Sequence, residues 1–169
     1  DEPVSVGAIL LEVATPSGNL ISELGSFYGL REPGVPIHPR AQAVHGLGVN
    51  ELRGKELNRS ELASMIAASD LVVAHNAKFD RRMLARIVAT SKYATWACSL
   101  HGLRLHWRGN LSRSLDALCV ANGIERPRPH NALDDCRALK DLLSLRSEKT
   151  ERSRTYLGHL IANPWAPTP

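Results

Sequence analysis

The segment Val73-Ala-His-Asn-Ala-Lys-Phe-Asp80-Arg-Arg-Met-Leu84 decides how the chain is read. Ahead of it, Leu71-Val-Val-Ala74 reads as a short buried strand, and behind it the spacing predicts a helix over about 78–89. At 100° per residue, Phe79, Met83, Leu84 and Ile87 cover one face of that helix, and Asp80 falls inside the same arc. A carboxylate in an apolar stripe needs a hydrogen bond, a counter-charge or a bound cation. The helix dipole also favours an Asp in the first turn, so position alone leaves both readings open.

A second segment, Arg126-Pro-Arg-Pro-His130-Asn-Ala-Leu-Asp-Asp135-Cys-Arg-Ala-Leu139, predicts a helix from about Asn131 to Arg146 after the Pro127 and Pro129 breakers. Ala132, Cys136, Leu139 and Leu143 make its buried stripe. Asp135 lies on the flank of that stripe, while Asp134 points away and is expected to be solvated. His130 sits in the loop before the helix. It is either a loop residue bonded to backbone or, beside a carboxylate-bound metal, a general base with a pKa near working pH.

Working outward, Val4-Ser-Val-Gly-Ala-Ile-Leu-Leu-Glu-Val13 reads as a buried strand. The turn residues Thr15-Pro16-Ser17-Gly18-Asn19 and a second apolar run over 20–28 make it a hairpin. Prolines 33, 36 and 39 mark an extended loop, and a short helix over 41–45 ends at Gly46. Ser60 is the expected cap of a helix carrying Leu62, Met65 and Ile66. A strand near 95–98 and helices near 99–107 and 112–122 complete the order. A hairpin followed by strands alternating with helices predicts an α/β domain with a mixed sheet.

Composition narrows the classes. The chain has 169 residues, enough for one ordinary domain, with 43% apolar and 22% charged residues, which excludes a disordered or fibrous chain. The longest apolar runs fall far short of the ~20 residues of a membrane helix. A net charge of +4 permits a polyanionic partner without requiring one. Cys98, Cys119 and Cys136 have neither metal-ligand spacing nor an even count, so they read as buried thiols of a reducing, cytoplasmic compartment.

The two quoted segments together, His75-Asn76-Ala-Lys-Phe79-Asp80 and, about fifty residues later, His130-Asn-Ala-Leu-Asp-Asp135, resemble the DEDDh exonucleases. These are the DnaQ-like group with an RNase H-like fold, a mixed central sheet flanked by helices. Pro36-Ile37 with Val44-His45-Gly46-Leu47, and Ser114-Leu115 with Leu118-Cys119 and Gly123-Ile124, resemble the segments between the family's motifs. The resemblance implies that Asp80 and Asp135 are two of four metal-binding carboxylates, that His130 is the general base, and that the cofactor is a pair of Mg²⁺ or Mn²⁺ ions. It implies 3′→5′ hydrolysis of DNA or RNA to nucleoside 5′-monophosphates, with a single-stranded 3′ end as substrate and a partner protein or homodimer as a further association, or else trimming of 3′ ends as a subunit of a larger complex. His75 and Asn76 would orient Asp80 or touch the nucleotide, and Arg126 and Arg128 would hold phosphate. A basic and aromatic cluster (His101, Arg104, His106, Trp107, Arg108, Arg113) either supports a nucleic-acid groove or is a solvated face around a core Trp. Residues 1–148 are the expected exonuclease-like domain and 149–169 a C-terminal extension whose Tyr156, Leu157, Leu160, Ile161 and Trp165 pack on the domain or reach a partner.

One departure stands out. The family's first motif, Asp-x-Glu on its first strand, does not occur before Asp80. Asp1 and Glu2 are adjacent, so on a strand they face opposite sides, and Glu12 lies in the wrong segment. Either the motif and its strand lie upstream of Asp1, which the retained Asp80, His130 and Asp135 favour, or the fold serves binding alone. On the first view the exact polypeptide is expected to be weak or inactive.

Overall fold

The computed structural model describes residues 2–103, 107, 112–146 and 154–164. Strands β1 (Ser5–Ala14) and β2 (Asn19–Leu30) form the predicted antiparallel hairpin, paired from Ser5↔Leu30 to Ala14↔Asn19, with irregularities between Leu10 and Leu11 and between Glu12 and Val13. Gly18 turns the chain at φ 74°, where a side chain would be strained. The proline loop leads to α1 (Pro39–His45), ended by Gly46 in the left-handed region, and to a short turn of helix, α2 (Val49–Leu52).

Helix α3 (Arg59–Ala67) is capped two residues earlier than expected. The Asn58 Oδ1 accepts from the Glu61 N–H, and Ser60 instead donates to that same Asn58 oxygen. Strands β3 (Val72–Ala74) and β4 (Trp96–Cys98) pair in parallel, joined by α4 (Ala77–Leu84) and a 3₁₀ turn over Ala89–Tyr93. The predicted helix over 78–89 stops at Leu84 because Val88 turns extended (φ −123°). That places Ile87 and Val88 in a cluster with Phe27, Leu57 and Leu62.

After β4 come α5 (Ser99–Gly102), α6 (Leu115–Ala121, capped by Ser114) and α7 (Ala132–Ser144). The expected helix over 99–107 is α5 as far as Gly102, and Arg104, His106 and Arg108 lie outside the described residues. Asn131 caps α7 by accepting from the backbone N–H groups of Leu133 and Asp134, at the start the sequence predicts. Helix α7 lies across β1, its first peptide pressed against Gly7. A second core holds Ala97, Leu103, Trp107, Leu118, Leu142, Leu143 and Leu160. Trp107 is a core residue: it meets Tyr156 edge to face and donates from Nε1 to the Ser99 carbonyl.

The last helix, α8 (Tyr156–Ala162), is docked on the hairpin turn. Thr155 donates to the carbonyls of Ser17 and Gly18, and its hydroxyl accepts from the Gly158 N–H. Tyr156, Leu157 and Leu160 thereby pack in the domain core. Among the described residues no helix is long and apolar enough to cross a membrane.

The mixed sheet comes in two pieces, the antiparallel pair β1–β2 and the parallel pair β3–β4. Gly7, near the start of β1, touches the first residue of α7, and the far end of β1 reaches α8 through Ser17. Asp80 follows the end of β3. The polar end of the molecule therefore gathers the start of β1, the end of β3 and the start of α7.

Candidate active site

Between the two sheet pieces lies a cavity of about 1610 Å³. Every residue from 2 to 13 and from 71 to 75 lines it, odd and even alike, whereas β2 contributes only Leu20 and Leu24 and β4 only Trp96. Successive strand residues point to opposite faces, so a surface lined by all of them is a strand edge. The cavity is the space between the unpaired edges of β1 and β3, and its volume exceeds the ~300–1,000 Å³ typical of small-molecule pockets.

Three residues singled out in the sequence line this cavity, although they come from separate parts of the chain: Asp80 from α4, His130 from the loop before α7, and Asp135 from its first turn. His75, Asp116 and Arg126 line it too, while Asn76 and Arg128 do not. Burial pushes the Asp80 carboxyl up from 3.8 to about 6, and no cationic side chain among the described residues offsets it. Burial, with the charges of Asp135 and Asp80, also pushes the Cys136 thiol up to about 12. Both carboxylates are thus within electrostatic reach of Cys136.

Asp135 is held through one oxygen. Its Oδ1 accepts from Arg126 at 2.5 Å and from the His130 backbone N–H at 3.3 Å, and no donor among the described residues reaches its Oδ2. His130 adopts φ 69°, a conformation uncommon for a non-glycine residue, with its side chain exposed at the cavity rim. Arg126 does not face solvent. Its side chain is 6% exposed and bridges Asp135 to Asp116 of α6, 3.0 Å from Nη1. Its Nε is buried without a partner among the described residues.

His75 is locked. Nδ1 lies 2.8 Å from the Ser99 hydroxyl and Nε2 lies 2.9 Å from the Arg113 carbonyl, so Nε2 donates and the Ser99 hydroxyl donates to Nδ1. Burial holds its pKa below the usual imidazole range. Asn76, exposed, takes the left-handed φ of 75° at the N-cap of α4, where its carbonyl accepts from the Phe79 N–H.

Two expectations are corrected. Phe79 is not core: it is 49% exposed at the cavity, with the Arg82 guanidinium 6.0 Å from its ring centroid, because α4 buries Ala77 and Met83 instead. Asp134 is not solvated: it is 4% exposed, since Arg128 and Arg137 fold over it and hold its carboxyl below the usual range. Arg128 itself is exposed, with Nε donating to Asp134. Glu2 is occupied by Arg31 and the Gly34 N–H, and Glu12, bonded to Ser22, sits toward the other end of β1. Sequence reasoning missed the Asp116–Arg126–Asp135 bridge. It joins residues ten and nine positions apart across a loop, where no helical or strand period applies.

The structure is thus an α/β domain in which two carboxylates, Asp80 and Asp135, and His130 line one cleft between strand edges. Residues 1–143 match the RNase T exonuclease family, and the chain belongs to it. Among solved structures it is similar to exonuclease X in complex with 5′-overhanging duplex DNA, at 20% identity over 90% of each chain with a TM-score of 0.57. It is also similar to E. coli exonuclease I in complex with a dA16 oligonucleotide, at 21% identity and a TM-score of 0.60, covering 85% of this chain and 36% of that one. No curated protein matches the chain. At these identities the likeness is one of fold, the RNase H-like α/β fold of the DEDD exonucleases.

The donor chemistry at the cleft fits a hard divalent cation in part. Asp80 is a largely buried carboxyl with no cation among the described residues offsetting its burial, and Asp135, which lines the same cavity, has one oxygen without a donor among them. Among the described residues no cluster of three or more His, Cys, Asp or Glu side chains gathers around them.

Proposed function

We propose that the chain is a metal-dependent 3′→5′ exonuclease domain that acts on single-stranded 3′ ends of DNA or RNA and releases nucleoside 5′-monophosphates. The observation that carries this reading is that Asp80, His130 and Asp135 line one cavity, with both carboxylates in electrostatic reach of Cys136 and the His130 N–H bonded to Asp135. Asp80 and Asp135 would hold Mg²⁺ or Mn²⁺. When bound, a pair of such ions polarises the scissile phosphate, lowers the pKa of a water and stabilises the leaving 3′ oxygen. His130, exposed at the rim, takes the proton from that water, its loop fixed by its backbone N–H to Asp135. His75 holds the Arg113 carbonyl and so fixes the approach to the cleft. Arg128, exposed in the loop ahead of α7, is the candidate phosphate contact.

Two carboxylates are few for two ions. The remaining pair would enter as Asp-x-Glu on a strand seated between the edges of β1 and β3, where i and i+2 carboxylates share one face. The starts of β1 and α7 and the end of β3 make β1 and β3 run oppositely, so such a strand would be parallel to one and antiparallel to the other. The same shortage favours a second reading, a nucleic-acid- or protein-binding module on this fold, in the cytoplasm and paired with a partner protein or its own copy.

The test is cleavage of a 5′-labelled single-stranded oligonucleotide, DNA and RNA in parallel, with Mg²⁺ and with Mn²⁺, beside Asp135→Ala. A metal-dependent ladder shortening from the 3′ end and lost in Asp135→Ala supports the exonuclease. Oligonucleotide binding without cleavage, even after an Asp-x-Glu strand is supplied, would support the binding module.

A further inference from the structure

The Asp116–Arg126–Asp135 bridge is absorbed by neither the hydrolysis nor the folding of the helices it joins. A guanidinium this buried would ordinarily be satisfied on all its N–H groups, yet its Nε has no partner among the described residues. Its two ends meet carboxylates of unequal standing. Asp116 is an exposed residue of α6, with its side chain 67% accessible, and Asp135 lies in the cleft with its side chain 28% accessible. Both line the cavity, but it is Asp135, with Asp80, whose charge acts on Cys136. A divalent cation on the Asp135 Oδ2 and a guanidinium at hydrogen-bond distance from Oδ1 would repel strongly in so poorly solvated a site.

We propose that Arg126 is the resident counter-ion of Asp135, which a divalent cation must displace, and that Asp116 is the carboxylate to which the guanidinium withdraws. This rests on the metal-dependent reading above and adds to it a built-in competitor for the cation. Arg126 acts here as a positioning residue and not as a phosphate contact, since both ends of its guanidinium are committed to carboxylates. In the cation-free state it holds Asp135 in place through its Oδ1. In the loaded state the α6 carboxylate holds the charge nearby, so the exchange needs no unpaired buried arginine.

The experiment is a Mn²⁺ titration of the whole chain followed by the electron paramagnetic resonance signal of free Mn²⁺, in wild type, Arg126→Gln, Asp116→Asn, the double variant and Asp135→Asn. Arg126→Gln is expected to bind Mn²⁺ about tenfold or more tightly than wild type, because the competitor is gone. Asp116→Asn, an exposed substitution that leaves the fold intact, is expected to bind more weakly, since Arg126 then has Asp135 as its sole partner. The double variant is expected to match Arg126→Gln, because Asp116 acts only through Arg126. A purely structural bridge gives the opposite pattern, with both single variants weaker and their losses adding. Equal or weaker binding in Arg126→Gln, with binding still lost in Asp135→Asn, overturns this proposal and leaves the metal site standing. Binding unaffected by Asp135→Asn, or absent in every form even after an Asp-x-Glu strand is supplied, overturns the metal site and this proposal together.

Discussion

Gly7 of β1 lies flat against the peptide of Ala132 at the start of α7: a Cβ on Gly7 would come within 2.4 Å of the Ala132 carbonyl carbon and oxygen. Both partners are backbone, so neither can rotate away. This contact fixes the height at which α7 begins over β1, and hence where His130 and Asp135 meet the cleft. Gly7→Val is expected to cost about 3 kcal/mol or more, by overpacking that has no side chain to absorb it. Gly25 on the partner strand has nothing within 4 Å of its position, so Gly25→Ala is the control and is expected to be neutral or slightly stabilising. Urea denaturation of the two variants checks this; equal losses would mean that the β1–α7 contact is not tight.

Asp80 gives the cleft a pH signature. Its carboxyl, raised from 3.8 to about 6 by burial, binds its proton more tightly in the fold than in the unfolded chain. Folding stability therefore falls as pH rises through about 4 to 6 and stays at the lower level above, by at most about 3 kcal/mol. Asp80→Asn removes the penalty. The variant is expected to match wild type at about pH 4 and to exceed it at about pH 8 in chelator, with the gap narrowing when Mg²⁺ is added. Melting curves at the two pH values measure it, and a gap that does not change with pH would refute the assignment of the charge to Asp80.

Most of the elements were legible in the sequence, because each has local chemistry: the turn at Gly18, the left-handed stop at Gly46 and the Asn131 cap. The expected stripes hold in part: α4 buries Met83 but not Phe79, and α7 buries Leu143 with Ala138 and Leu142, leaving Ala132, Cys136 and Leu139 half-buried. Asp80 and Asp135 were legible for the same reason, being acids in or beside those stripes. What could not be read depends on partners distant in sequence. Asp134 looks solvated against the expected stripe, but it lies in line with the buried Ala138 and Leu142, and Arg128 from the loop ahead of α7 and Arg137 cover it. Phe79 looks apolar-facing and is exposed because α4 is short and abuts an open cleft. The division of the sheet into two pieces is likewise invisible to a strand's own period, which reports two faces and says nothing of its edges.

Thr155 ties α8 to the hairpin turn through one hydroxyl, which donates to Ser17 and Gly18 and accepts from Gly158. Thr155→Val keeps the shape and leaves buried backbone groups unpaired. It is expected to cost about 1–3 kcal/mol, with Thr155→Ser restoring most of the loss. Thermal melting of the three proteins distinguishes a loss of the hydroxyl from a loss of packing: a serine no better than valine would assign the effect to the methyl group.

The His75–Ser99 pair is expected to govern the acid side of the stability profile above the carboxylate range. Burial favours the neutral ring, so the unfolded chain takes up its proton first as pH falls below the usual 6.5. The stability contributed by His75 is fully present above 6.5 and is lost as pH falls toward its depressed folded value, a slope opposite in sign to that of Asp80. His75→Gln retains a donor for the Arg113 carbonyl and cannot titrate, so it is expected to flatten the curve just below 6.5 while leaving the Asp80 slope in place. Ser99→Ala is expected to cost about 1–3 kcal/mol by leaving Nδ1 without its donor. A pH series of denaturant midpoints for wild type, His75→Gln and Ser99→Ala separates these effects. A wild-type curve flat between about pH 5 and 7 in the Asp80→Asn background would show that His75 titrates as it does in the unfolded chain.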